Sequence, residues 1–225
     1  MLGHLYFWSE RVVAKLSRET VQRLAVLKAL SLWQNGAYGP VRVHKVLFFT
    51  DKKASATSRR NLFTFKKWAL GQYSDEIASA LNGLRTSGRL RNVFDGPAER
   101  LTAIIPRPAQ VMIDEFFESW YPELDKDMAV VFDEWGYLSN AEIIRKAHED
   151  HTYTESEKGE IICESTLPDV VEIAELSDDD AENLSDLVDP RLFLALRDRL
   201  QEAVKIPAKH SDWRRRYFCE VEDTL

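Results

Sequence analysis

The chain has 225 residues, 44% of them hydrophobic and 30% charged, a globular composition long enough to bury its own core without a metal or disulfide staple. No apolar run approaches the roughly 20 residues of a membrane-spanning helix, so no membrane partner is expected, and Cys163 and Cys219 stand too far apart, with no C-x-x-C pattern, for a zinc knuckle or disulfide framework. The net charge of −7 conceals opposite halves: residues 1–110 carry 18 Lys/Arg against 7 Asp/Glu, and residues 111–225 carry 12 against 30. That asymmetry suits a basic face for nucleic acid, an acidic arm for a basic protein, or two halves that neutralise each other.

The start, MLGHLYFWSERVV, lacks the basic and long apolar regions of a secretory signal, and a cytoplasmic location is expected. SRETVQRLAVLKALSLWQNG then predicts a helix of about 15 residues: Ser17 and Thr20 are candidate caps, Val21, Leu24, Leu27 and Leu30 form one stripe, and Asn35-Gly36 ends it. VRVHKVLFFTDKKA repeats the pattern behind Pro40, with Val43, Val46 and Leu47 inward and His44 and Lys45 beside them. NLFTFKKW alternates as a strand or extended segment, and SDEIASALNGLRTSG predicts a short helix capped by Ser74.

Leu90–Phe94 and Glu99–Ile105 predict a β-hairpin turned by Asp95-Gly96-Pro97. From Pro108 the chain is helical, with a break at Tyr121-Pro122, and Ser139 with Glu142 forms a capping box before AEIIRKAHED. Residues 165–180 are expected to be an acidic linker, followed by one or two helices, with a start at Asp189-Pro190 and Leu192, Leu196 and Leu200 on one face, and by the basic run Arg214–Arg216. The fold class expected is mainly α with a small β-hairpin (α+β), with an N-terminal helical segment (1–21) and an acidic linker with a C-terminal helical extension (166–225).

His148 and His151 lie three apart, but the run is His-Glu-Asp-His rather than H-E-x-x-H, and no Cys or His cluster lies nearby, so no metal site is expected. There is no nucleophile elbow, P-loop or dinucleotide glycine pattern, and neither an enzyme nor a cofactor is expected. Lys52, Lys53, Arg59, Arg60, Lys66 and Lys67 form a basic series in a helix–helix–hairpin order that a winged helix shares; they are weak candidates for phosphate contact, with no base-reading signal. Phe65, Trp68 and Tyr73 surround FTFKKWALGQYS, where such aromatics serve either as core or as interface anchors.

Three segments resemble the Panacea domain, the SocA-like antitoxin family. VHKVLFFTDKK is similar to that family's early helix, with Lys45, Leu47 and Phe49 at corresponding places; FTFKKWALGQYSDEI is similar to its aromatic segment running into a Gly-Pro turn and a helix; LSNAEIIRKAHEDHTYTESEKGEII is similar to its final helix, histidine and Gly-x-Ile. The resemblance spans residues 22–165. Gln72 stands in place of the usual proline, and Thr152-Tyr153 in place of Pro-Trp. It implies a non-enzymatic antitoxin that neutralises a cognate protein toxin encoded next to it by direct binding, and it places His148 as a structural or interface residue. The candidate partner-binding residues are Phe65, Trp68, Tyr73 and His148, with Asp178, Asp179 and Asp180 steering a basic partner. The alternatives are a winged-helix-like DNA-binding regulator and an adaptor that delivers a partner to a cellular protease.

Overall fold

The computed structural model describes residues 13–95, 98–192 and 194–195. The first elements are β1 (Val13–Ser17), α1 (Arg18–Ser31), β2 (Ala37–Tyr38) and α2 (Pro40–Ser58). Next come the hairpin β3 (Phe65–Trp68) and β4 (Gly71–Tyr73), α3 (Asp75–Thr86), and the hairpin β5 (Leu90–Asp95) and β6 (Ala98–Ala103). Helices α4 (Arg107–Trp120), α5 (Pro122–Trp135), α6 (Asn140–Glu149) and α7 (His151–Glu155) lead to β7 (Ile161–Cys163), β8 (Val170–Ala174) and α8 (Asp178–Val188). The architecture is mainly α with small antiparallel sheets, the α+β class expected. Among the described residues no helix is long and apolar enough to cross a membrane.

α1 starts where the Ser17 side chain accepts the Thr20 N–H, and from Val21 to Leu30 it is buried nearly all round, so it is the axis of the core rather than an amphipathic cover. Its one deep cation, Lys28, sits between Asp114 of α4 (2.9 Å) and Asp125 of α5 (2.5 Å), which supplies the countercharge a buried ammonium requires. α2 packs along α5, where Phe49 stacks on Trp135 at 3.9 Å between ring centres. Pro122 separates α4 from α5, as its missing N–H dictates.

α1, β2, α2, α3, β5 and β6 follow one another with a sheet in the order β2-β6-β5, the order of a winged helix, with β3–β4 inserted between its second and third helices. The inserted hairpin gains a third strand, β7, along β3.

Two expectations change. Within the stretch expected to be a helical N-terminal segment, residues 13–17 form a strand, which pairs along its length with β8 from Val13↔Ala174 to Ser17↔Val170; residues 1–12 lie outside the described residues. The expected acidic linker is instead β8 and the cap of α8: Val171, Ile173, Leu176, Ala181, Leu184 and Leu187 are buried between the acids, and Trp120 and Arg89 donate to the carbonyls of Ala174 and Leu187. Helical backbone resumes at Pro190 as expected, while Leu196, Leu200, Arg214–Arg216 and Cys219, with the hairpin tip Gly96-Pro97, lie outside the described residues.

Candidate partner-binding cleft

The register Lys66↔Tyr73, Lys67↔Gln72, Trp68↔Gly71 leaves Ala69 and Leu70 as the tip of the β3–β4 hairpin. Trp68 and Leu70 are 47% and 51% exposed there, two large apolar side chains in water. Behind the tip, Gly71 has φ +97°, and a Cβ on it would lie 2.7 Å from Lys45 Nζ, so both the turn and the close packing on α2 require glycine.

α2 meets this hairpin with two polar side chains. His44 accepts the Ser74 N–H on Nδ1 (3.2 Å) and stacks on Tyr73 at 4.7 Å. Burial, with Lys45 adjacent, lowers its pKa to about 3, so it is neutral and its proton is on Nε2, which has no partner among the described residues. Lys45 is 2% exposed and donates to the Gln72 carbonyl at 2.5 Å. It has no ion-pair partner among the described residues, and burial lowers its pKa to about 7. Between the first turns of α2, the hairpin and α3 lies a cleft of about 350 Å³ reaching these two residues, with Trp68 and Leu70 on its rim and Leu81 and Arg85 of α3 opposite.

The hairpin is held from behind. Gln72, buried, donates from Nε2 to the Ala147 carbonyl at the end of α6, an anchor that proline could not make. Tyr153 of α7 donates to the Trp68 carbonyl (3.0 Å), stacks on His148 at 4.5 Å and carries Lys67 over its ring. The ammoniums of Lys66 and Lys158 lie over Trp68 at 5.8 and 5.6 Å. These contacts hold an exposed tip in one conformation.

Of the expected partner-binding residues, Trp68 and Tyr73 do line the cleft. Phe65 does not: it is fully buried against Phe48 and Phe63, because residues three apart on a strand face opposite sides. His148 stands one layer behind as a brace, its imidazole held below its ordinary range by desolvation and by Lys45 and Lys67. His151 is on a different helix, since Asp150 breaks the run with ψ 129°, and among the described residues no group of three or more His, Cys, Asp or Glu gathers in a metal-holding arrangement. Asp178, Asp179 and Asp180 form the first turn of α8, where they complement the helix dipole; α8 packs on β1, α1 and α4, none of which lines the cleft.

The expected phosphate-contacting cations are largely engaged: Lys52 with Asp150 (2.6 Å), Lys53 with Asp127 (3.7 Å), Lys66 with Asp75 (2.6 Å) and Lys67 with the Ser156 carbonyl (2.6 Å). Arg59 and Arg60 stand exposed past the end of α2. Leu70 was not expected in a site, while the place of His44 and Lys45 beside the apolar stripe was the residue-level signal for theirs.

The desolvation of Lys45 has a measurable consequence. Between pH 7 and its ordinary value of 10.5 the unfolded chain keeps this proton and the folded chain releases it, so stability rises with pH across that window. Urea unfolding of the parent should show a gain of about 1–2 kcal/mol from pH 7 to 8.5, and Lys45→Met should show no such gain; an equal rise in both would place the titration elsewhere.

Compared with known proteins, the chain matches no family model, no curated protein and no solved structure.

Proposed function

We propose that the chain is a non-enzymatic cytoplasmic antitoxin that neutralises a cognate protein toxin, encoded next to it, by holding part of that toxin in the α2–hairpin–α3 cleft. The observation that carries this reading is the exposure of Trp68 and Leu70 on a hairpin that the buried Gln72–Ala147 hydrogen bond and the Tyr153 hydroxyl hold from behind. Apolar side chains immobilised before binding lose little entropy on contact, and aromatic anchors of this kind concentrate interface energy. The three segments that resemble the Panacea domain also converge here: the first supplies His44 and Lys45, the second the tip, the third the brace of Ala147, His148 and Tyr153.

The winged-helix strand order favours a second reading, a DNA-binding regulator. Against it, α3, the helix at the recognition position, exposes Asp75, Ser79 and Asn82, and its acidic first turn would repel phosphates. An adaptor would use the same cleft but send its partner to a protease.

Co-expression with each neighbouring reading frame tests the reading. Growth arrested by one neighbour should be rescued by the parent chain and not by Trp68→Ala, with the toxin persisting in the rescued cells. Rescue by neither, or tight sequence-selective DNA retardation at near-physiological salt, would overturn it; loss of the toxin during rescue would select the adaptor.

A further inference from the structure

Lys45 is the most informative unexplained group in the molecule. Buried ammoniums are paired, as Lys28 is by two aspartates, yet among the described residues Lys45 meets only the Gln72 carbonyl. Two of its three donor positions are therefore unused, and it faces the cleft. The other polar groups of that lining point the same way. His44 offers an Nε2 proton, Tyr73 a hydroxyl and Arg85 a guanidinium partly occupied by Asn92 (3.0 Å) and Glu99 (3.6 Å). Among the described residues no carboxylate lines the cleft; the nearby Asp75 is held by Lys66 and Glu76 by the Ser74 hydroxyl. The remaining walls are apolar: Trp68, Leu70 and Leu81.

A lining that mostly donates does not match an internal stretch of peptide, which brings one N–H for each carbonyl and would leave its own donors unmet. A chain end matches it, because a free α-carboxylate brings two acceptor oxygens and a negative charge together. The volume, about 350 Å³, is at the small end of ligand sites, room for a chain end but not for a helix. We infer that the cleft recognises the C-terminal end of the partner chain, its α-carboxylate on Lys45 and His44 and its last apolar side chain between Trp68, Leu70 and Leu81. This rests on the binding reading above and specifies what the site takes.

The test uses the full chain, labelled with ¹⁵N, and N-acetyl-Leu-Phe as the probe, in its free-acid and amide forms. The acid should shift the amide signals of Gly71 and Tyr73 saturably, and the amide should bind at least tenfold more weakly, a difference of about 1.4 kcal/mol or more. Lys45→Met, which removes a buried charge and should fold, should bind the two forms alike. Equal binding of acid and amide to the parent, or no shift with either form, overturns the inference. Benzoate binding as tightly as the acid dipeptide also overturns it, in favour of a small carboxylic acid as the occupant.

A second arm separates this inference from the reading it rests on. A short Gly-Ser tail added to the toxin's C terminus should abolish rescue by the parent chain. Rescue that survives the tail but is lost with Trp68→Ala sinks the chain-end inference and leaves the binding reading standing; rescue that survives Trp68→Ala sinks both.

Discussion

Leu70→Asp should weaken partner binding by at least about thirtyfold, the 2 kcal/mol or more that marks a dominant interface residue, while the melting temperature stays within about 2 °C of the parent. Leu70 is 51% exposed at the tip of the hairpin, so folding does not depend on burying it, and an aspartate there is solvated in the free protein. In the complex the same carboxylate would be enclosed among apolar side chains and would also compete for Lys45, so the penalty falls on the bound state alone. Titration calorimetry and thermal unfolding of the same preparation separate the two effects. A large fall in melting temperature with affinity unchanged would mean that the tip serves folding and not binding.

The largest loss of stability should come from Asp51. This side chain, 1% exposed on α2, accepts the Leu62 N–H on both oxygens (2.9 Å each) and the Phe63 N–H on one (3.1 Å), tying the loop after α2 back onto the helix. Burial raises its pKa to about 7 against the pull of these two donors. Asp51→Ala leaves both N–H groups buried without an acceptor and should cost about 2–4 kcal/mol, a fall in melting temperature of roughly 5–15 °C for a chain of this size. Asp51→Asn keeps one carbonyl acceptor and should lose clearly less. Equal losses in the two variants would show that the charge, and not the acceptor geometry, holds the loop.

How much of this was legible in the sequence depends on how local the cause is. The start of α1 at Ser17, the break at Pro122 and the capping box of Ser139 and Glu142 each follow from a few neighbouring residues, and each is where the pattern placed it. The β1–β8 pair was not legible: its strands come from opposite ends of the described chain, and β8 sits in an acidic stretch whose alternate buried positions, Val171 and Ile173, are only two. The same holds for β7, which has meaning only beside β3. In the site, the parity of β3 already separates Phe65 from Trp68, but that parity helps only once the segment is known to be a strand. His44 and Lys45 were visible as polar residues beside an apolar stripe. What could not be read is that Gly71, 26 positions on from Lys45, lets the hairpin close over them and turns a lysine into the floor of a cleft.

The central claim, that a partner protein docks in the cleft between α2, the β3–β4 hairpin and α3, is tested most directly by amide hydrogen exchange on the parent chain with and without its toxin. The account predicts added protection concentrated in residues 68–73 and 78–85, with α8 and the end of α2 near Arg59 and Arg60 unchanged. Protection confined to the first turn of α8 around Asp178–Asp180, with the hairpin exchanging as in the free protein, would contradict it.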